Sequence, residues 1–132
     1  MNETMTIREM CDAFEVTPRT LRFYESKELL SPIREGQKRL FTRRDRARLK
    51  LILRGKRFGF SLEEIRQLLD LYHADEHHET QLRTACEIGQ QHLEEMIAQH
   101  KELEVAIHEL RDQLNADRAQ LATLTAATQA AE

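Results

Sequence analysis

The sequence predicts a mainly helical fold, with a small helical head followed by one long helix. Four helix-start signals of the same kind occur in the first half of the chain, and a heptad repeat of apolar residues occupies most of the second half. Of the 132 residues, 33% are charged, 5% are aromatic and none is Trp. This composition is typical of long, solvent-rich helices around one small core.

The first two helix starts lie close together. Thr6 and Glu9 have the spacing of a capping box, which predicts a helix over about 7–14. Thr17 followed by Pro18 predicts a second helix that ends near residue 27, because proline at the first helical position has no amide hydrogen to leave unpaired. Only residues 15–17 separate these helices, which is the connection length of a helix-turn-helix unit.

The third and fourth helix starts follow the same chemistry. Thr42 with Asp45 predicts a helix that reaches about residue 58, where Gly59 stops it. Ser61 with Glu64 starts another helix that buries apolar residues. The residues assigned to its buried face are Ile65, Leu68, Leu69 and Tyr72.

The stretch SPIREGQKRLF, between the second and third helices, has the pattern of a β-hairpin. Gly36 can adopt the positive φ of a tight turn, and the second arm alternates basic with apolar residues. The head is therefore predicted to be a winged helix-turn-helix with a small β-hairpin wing.

Charge is divided unequally along the chain. Sixteen Lys and Arg stand against eleven Asp and Glu through Tyr72, whereas four stand against twelve from His73 onward. Eleven basic residues fall between Arg34 and Arg57, against two acidic ones. Such a patch attracts phosphates, although a solvated helix face is the plainer alternative.

The stretch TPRTLRFYE places basic and aromatic side chains on the second helix. The first turns of that helix enter the major groove in helix-turn-helix proteins. Arg19 is suited to a base edge or a phosphate, because its guanidinium matches both, and Arg22 and Tyr24 are suited to the DNA backbone.

From Leu82 to Leu124 a strict four-three alternation marks one face of a helix over about 79–126. A stripe of this length needs a partner helix, and a second copy of the chain is the simplest source. The predicted dimer-interface residues are Leu82, Cys86, Leu93, Met96, His100, Leu103, Ile107, Leu110, Leu114 and Leu121. His100 interrupts the stripe and can set its register.

These motifs resemble those of MerR-type transcription regulators. The similar stretches are TIREM, VTPRTLRFYE, LLSP, REGQKRLF and GFSLEEIRQLL, which together cover residues 5–72. The resemblance implies a winged helix-turn-helix head and an antiparallel coiled-coil homodimer that binds double-stranded DNA. The DNA-contacting residues that it implies are Arg19, Thr20, Arg22, Tyr24, Arg34, Lys38, Arg39, Arg44 and Lys56.

The resemblance also implies a mechanism, in which the dimer bends and untwists a pseudo-palindromic promoter for RNA polymerase when an effector arrives. Repression without such distortion is the alternative within this class. The stretch from the wing to residue 72 is also similar to a proteobacterial subgroup that controls branched-chain amino acid and fatty acid catabolism. The effector, if there is one, is unknown; no fused effector domain is expected, which leaves the dimer itself as the place for a ligand.

No cofactor is expected. Metal-responsive members of this family carry cysteines at the start of the dimerisation helix and in a loop after it, but this sequence has His77 and His78 near the first position and no cysteine after Leu124. His73, His77 and His78 could form a histidine-based metal site, although an exposed polar linker explains them equally well.

Cys11 and Cys86 are expected to be reduced, small core residues. The chain is expected to be cytoplasmic and not to be an enzyme, since it has no signal peptide, no apolar run long enough to span a membrane and no catalytic motif. A coiled-coil adaptor whose basic head binds protein or membrane is the alternative from another class. The predicted organisation is a DNA-binding head over 1–72, a linker over 73–78, a dimerisation helix over 79–126 and a flexible tail over 127–132.

Overall fold

The computed structural model describes residues 3–70 and 78–131, apart from the side chains of residues 78 and 81. Within these ranges it contains five helices and one two-stranded sheet. In chain order they are α1 (Ile7–Phe14), α2 (Pro18–Ser26), β1 (Ile33–Glu35), β2 (Lys38–Leu40), α3 (Arg43–Arg57), α4 (Leu62–Asp70) and α5 (His78–Ala131). The mainly helical fold with a β-hairpin and a long final helix is confirmed.

All four helix-start signals are confirmed by hydrogen bonds. At the start of α1, the Thr6 hydroxyl accepts from the Glu9 amide at 3.2 Å and the Glu9 carboxylate accepts from the Thr6 amide at 3.0 Å. The starts of α3 and α4 repeat this reciprocal pair, while at α2 the Thr17 hydroxyl accepts from the Thr20 amide. These predictions succeed because each cap joins groups only three residues apart.

Two glycines adopt the left-handed backbone that the sequence predicts for them. Gly36, in the turn between β1 and β2, has φ of +60°, and Gly59, which follows α3, has φ of +81°. Other residues adopt this region only at a cost, because their Cβ crowds the backbone. Glu15 does so nonetheless, with φ of 55°, where it ends α1 and its amide donates to the Cys11 carbonyl.

One hydrophobic core holds the head together. Every helix of the head contributes to it, and Phe41, which directly follows the wing, is fully buried. The buried hydrophobic residues are Met10, Leu21, Tyr24, Leu29, Leu30, Phe41, Leu49, Ile52, Ile65 and Leu69. Leu68 is half-buried, and Tyr72 lies outside the described residues. The core positions the outer face of α2 and the wing.

The wing is an antiparallel hairpin in which Ile33 pairs with Leu40 and Glu35 pairs with Lys38. Its exit is bound to the start of the chain: the Met5 amide donates to the Phe41 carbonyl at 2.9 Å, and the Phe41 amide donates to the Met5 carbonyl at 2.8 Å. Because Phe41 is also buried, this bridge and the core together fix the base of the wing.

Helix α5 runs through Ala131, beyond the predicted end at residue 126, and so extends into the segment 127–132 that was predicted as a flexible tail. The alanines of this segment explain the difference, since alanine has the highest intrinsic helix propensity. The predicted linker lies outside the described residues except for residue 78, where α5 begins.

The described residues form two compact units, Met1–Gly89 and Gln90–Glu132. The first therefore ends beyond the predicted head and includes the first turns of α5. Leu82 and Ala85 on those turns line a cavity of about 240 Å³ with residues of α3 and α4 and with Phe58 and Phe60, which lie between these two helices. No helix in the described ranges is both long and apolar enough to cross a lipid bilayer.

Candidate nucleic-acid interface

Helix α2 separates its core-facing side chains from its basic ones. Leu21 and Tyr24, three residues apart, are buried, whereas Arg19 and Arg22 are exposed. Residues at this spacing share one helical face, so the two arginines lie off the face that packs against the core. The structure thus presents both cations of the predicted recognition helix to solvent.

Tyr24, which is also predicted to contact DNA, has its ring in the core of the head. Its side chain is only 6% exposed and belongs to the core, and its ring meets that of Phe23 edge to face, with 5.7 Å between ring centroids. Burial raises the pKa of its phenol. The spacing from Leu21 is the signal that could have assigned the ring of Tyr24 to the core.

Phe23 also lies on the outer face of α2, although it is not among the predicted DNA-contacting residues. It is 40% exposed, one helical turn beyond Arg19, and the ammonium group of Lys27 lies 5.7 Å from its ring centroid. The signal was available, because residues four apart on a helix share a face. An exposed aromatic ring beside arginines can make an apolar contact to a thymine methyl group.

Thr20, also predicted to contact DNA, is half-buried at the start of α2. Its hydroxyl lies 2.9 Å from that of Thr17, and its amide donates to the same Thr17 oxygen. Thr20 therefore takes part in the cap that begins the helix.

The wing brings its arginines to the recognition helix. Arg34 Nη1 lies 2.9 Å from Glu25 Oε2, and Arg39 Nε lies 2.6 Å from Glu25 Oε1. Arg34 and Lys38 are both exposed, whereas Arg39 is half-buried. Two of the three basic wing residues predicted to contact DNA are therefore also bound to a carboxylate of α2, a link over sequence separations of 9 and 14 that residue order does not reveal.

The ionisation of Glu25 reflects these bonds. Partial burial alone would raise the pKa of its carboxyl group, but the hydrogen bonds and positive charges of Arg39 and Arg34 outweigh burial and lower that pKa. The carboxylate is thus held in its charged form, with one oxygen on each arginine.

Some basic residues between 34 and 57 bind other segments of the head, and others lie on its surface. Arg46 Nη1 donates to the Glu3 carbonyl at 3.0 Å, and Arg48 Nε donates to the Leu29 carbonyl at 2.7 Å, so these side chains join distant segments of the head. Burial, followed by the charge of Arg44, lowers the pKa of Arg48. The exposed basic residues of α3 are Arg43, Arg44, Lys50, Arg54, Lys56 and Arg57. Arg44 and Lys56, both predicted to contact DNA, thus remain on the surface.

A buried carboxylate organises the start of α3. Asp45 is 2% exposed and accepts hydrogen bonds from the Ser31 amide at 2.9 Å and from the amide and hydroxyl of Thr42, each at 3.0 Å. Three donors satisfy a charge that would otherwise be costly to bury. Through Ser31, Asp45 also connects α3 to the segment that follows α2.

Every predicted dimer-interface residue is exposed in the single chain. Leu103 is 59% exposed and Leu110 is 61% exposed, and Cys86 is also exposed. His100 lies 3.0 Å from Glu104, one turn along the same helix. Cys11, in contrast, is half-buried against the core, and burial followed by the charge of Asp12 raises the pKa of its thiol.

The described residues contain no cluster of three or more His, Cys, Asp or Glu side chains with the geometry of a metal site. The histidine site suggested by the sequence depends on His73, His77 and His78, of which the first two lie outside the described residues and the third has no described side chain.

Comparison with protein families places this geometry in a known group. Residues 5–71 match the description "MerR HTH family regulatory protein", and residues 46–113 match "MerR, DNA binding". The HTH-type transcriptional regulator ZntR of Escherichia coli K12 is 41% identical over 100 residues, which cover 74% of this chain and 70% of ZntR.

Solved structures show the same similarity. HiNmlR, a MerR family regulator lacking the sensor domain and bound to promoter DNA, matches with a TM-score of 0.61 and 27% identity, over 76% of this chain and 77% of HiNmlR. PbrR691 of Ralstonia metallidurans CH34, in complex with lead(II), matches with a TM-score of 0.62 and 34% identity, over 82% of this chain and 84% of PbrR691. The exposed arginines of α2, the wing and these matches together show that the chain belongs to the MerR family of DNA-binding transcription regulators.

Proposed function

We propose that this regulator binds a promoter as a homodimer through the outer face of α2 and the wing. The observation that carries the proposal is the division of α2, where Arg19 and Arg22 are exposed while Leu21 and Tyr24 are anchored in the core. Arg19, on the first turn, is suited to a base edge, and Arg22 to phosphate.

The remaining predicted contacts follow from position. Lys38 on the wing and Lys56 on α3 are exposed cations suited to phosphate, as are the outward N–H groups of Arg34 and Arg39. Thr20 and Tyr24 act chiefly by fixing α2, through its cap and through the core respectively.

Dimerisation is proposed to bury the apolar stripe of α5. Its leucines are largely exposed in the single chain, and covering them with a second copy would remove that apolar surface from water. A two-fold dimer presents two copies of α2, so the operator is expected to be a pseudo-palindrome.

We propose that the bound dimer bends and untwists the promoter when an effector is present. This distortion would change how RNA polymerase transcribes from that promoter. HiNmlR bound to promoter DNA shows that a relative of similar fold engages such DNA. We assign the chain no catalytic role.

Substitution of Arg19 tests the proposal. An operator is first obtained by selection from a random duplex library with the full-length protein. Arg19→Ala should then weaken operator binding by roughly 1 to 3 kcal/mol, because one bidentate contact is lost. Lys101→Ala, which removes a positive charge from α5, is the control and should leave operator affinity unchanged.

Two results would contradict the proposal. If the selection enriches no sequence, or if Arg19→Ala binds the enriched duplex as tightly as the original protein, α2 is not the reading helix. Binding to protein partners or vesicles in place of DNA would then favour the adaptor hypothesis.

A further inference from the structure

The Glu25 carboxylate occupies an unusual place for an acidic group in a face built for DNA. It lies near the end of α2, three residues after Arg22, and binds both Arg34 and Arg39 of the wing. A negative charge here repels phosphate and cancels part of the wing's positive charge, so it weakens sequence-independent attraction. Its presence therefore calls for a compensating role.

The geometry of the hydrogen bonds from Arg34 and Arg39 to Glu25 indicates what Glu25 contributes. Each carboxylate oxygen takes one arginine, at 2.9 Å for Arg34 and 2.6 Å for Arg39. A guanidinium has five N–H donors in a rigid plane, and these bonds use one donor from each arginine. Glu25 can therefore orient both planes while other N–H groups remain to meet phosphate oxygens.

The hydrogen bonds of Glu25 also join the wing to α2. The wing strands have three residues each, and Ile33 on β1 is 46% exposed. The base of the wing is fixed by Phe41, and four of the six strand residues are exposed. The hydrogen bonds from Arg34 and Arg39 to Glu25 join these exposed strands to α2. In a partly buried setting, charged hydrogen bonds of this kind are strong enough to restrict side-chain motion.

We propose that Glu25 is a positioning residue for DNA recognition, which holds the two wing arginines at a fixed place relative to α2 and offsets their charge toward non-specific DNA. This inference rests on the proposed function, since it refines how the same surface selects its operator. Glu25 thereby lowers the affinity for DNA of any sequence and raises the preference for the operator. Operator phosphates at the right spacing meet oriented N–H donors, whereas other DNA meets a wing of reduced positive charge.

The salt dependence of binding tests this role. For Glu25→Gln, the slope of log affinity against log salt concentration on a short mixed-sequence duplex should steepen by about 1 to 2 per protomer, because up to two arginines become available to phosphates at about 0.9 each. The ratio of operator affinity to mixed-duplex affinity should fall. Loss of a merely structural contact would weaken binding to both duplexes without steepening the slope.

Two controls isolate the arginines. Glu28→Gln removes the same charge from an exposed residue close by and should shift the slope by less. In a protein that carries Arg34→Gln and Arg39→Gln, adding Glu25→Gln should change the slope by no more than Glu28→Gln does. An equal effect of Glu25→Gln and Glu28→Gln in the original protein, or an undiminished effect of Glu25→Gln without the arginines, would overturn the inference.

A further variant covers the case in which Glu25→Gln does not fold, as judged by far-ultraviolet circular dichroism. The double variant Arg34→Gln and Arg39→Gln, with Glu25 intact, should then reduce the salt-dependence slope on the mixed-sequence duplex by less than two phosphate contacts would, at about 0.9 each. A reduction equal to two full contacts would contradict the inference. If the original protein itself fails to bind either duplex, the proposed function is what fails; normal binding with unaltered slopes in the variants rejects only the role of Glu25.

Discussion

Apolar side chains are buried in the head but exposed along α5 from Leu93 onward. Leu49, in α3, is fully buried, whereas Leu103, in α5, is 59% exposed. In the head, short helices and the wing surround one core, while every described residue from Leu93 to Ala131 is exposed in the single chain. A pattern of apolar residues therefore forms a core only where other elements of the chain, or a second molecule, pack against it.

This contrast separates two sources of stability. The head draws on long-range contacts within one chain, including the buried Asp45 and the bonds from Arg48 to Leu29 and from Arg66 to Lys27. The side-chain pairs on α5 are local, as between His100 and Glu104. Since helices gain most of their stability from tertiary packing, α5 depends on a partner in a way that the head does not.

The largest expected effect comes from a charge placed on the apolar stripe of α5. Leu103→Asp should weaken dimerisation by about 3 kcal/mol or more, roughly a hundredfold or greater, because a carboxylate would be buried without a partner. Analytical ultracentrifugation at micromolar concentration should show monomers, with operator affinity reduced. The thermal stability of the head should change little.

Val105→Asp is the matched control for that prediction. Val105 is 58% exposed and lies two residues from Leu103, which places it across the helix from the stripe. It should leave the dimer intact. Dimers that persist in Leu103→Asp, or that are lost equally in both variants, would show that the predicted stripe is not the interface.

A smaller effect is expected from adding a methyl group within the head. A Cβ at Gly55 would lie 2.8 Å from Ile65 Cγ1, and Ile65 is buried, so Gly55→Ala should destabilise the head by about 1 to 3 kcal/mol. Within the single chain, a Cβ at Gly89 meets nothing within 4 Å, so Gly89→Ala should instead stabilise α5 itself by up to about 1 kcal/mol. Urea unfolding followed by circular dichroism measures both, and equal changes of the same sign would remove the distinction between the two glycines.

The smallest expected effect concerns the ion pairs. Because the pKa of Glu25 is lowered in the folded head, its pairs stabilise the head above the ordinary carboxyl pKa and are lost as pH falls through the lowered value. Glu25→Gln should thus cost up to about 1 kcal/mol at neutral pH and progressively less in acid. Glu104→Gln on α5 should change stability by less than about 0.5 kcal/mol. Urea melts across an acidic pH series test this, and a cost that grows on acidification would reverse the assigned sign.

The local features of the fold were predictable from sequence, and the long-range ones were not. The caps at Thr6, Thr42 and Ser61 each join neighbouring residues, and the turn at Gly36 needs only its own backbone freedom. The long helix α5 was also predictable because a heptad is a local period, whereas its apolar stripe as the dimer interface stays a prediction.

At the candidate site, sequence found the exposed arginines but not their partners. Arg19 follows from its place on the first turn of α2, whereas the pairing of Glu25 with Arg39 depends on how the wing folds back. The basic stretch also could not reveal that Arg46 and Arg48 serve carbonyl groups of other segments, since charge density carries no information about tertiary partners. The burial of the Tyr24 ring was signalled by its helical spacing from Leu21, whereas its contact with DNA stays a prediction.

The bridge between Met5 and Phe41 has a practical consequence for handling the protein. A shortened version that starts after Met5 would leave the Phe41 amide without its acceptor and would also remove the Glu3 carbonyl that Arg46 uses. Affinity tags are therefore best attached ahead of the complete first segment through a spacer, so that its pairing with the wing exit is preserved during purification.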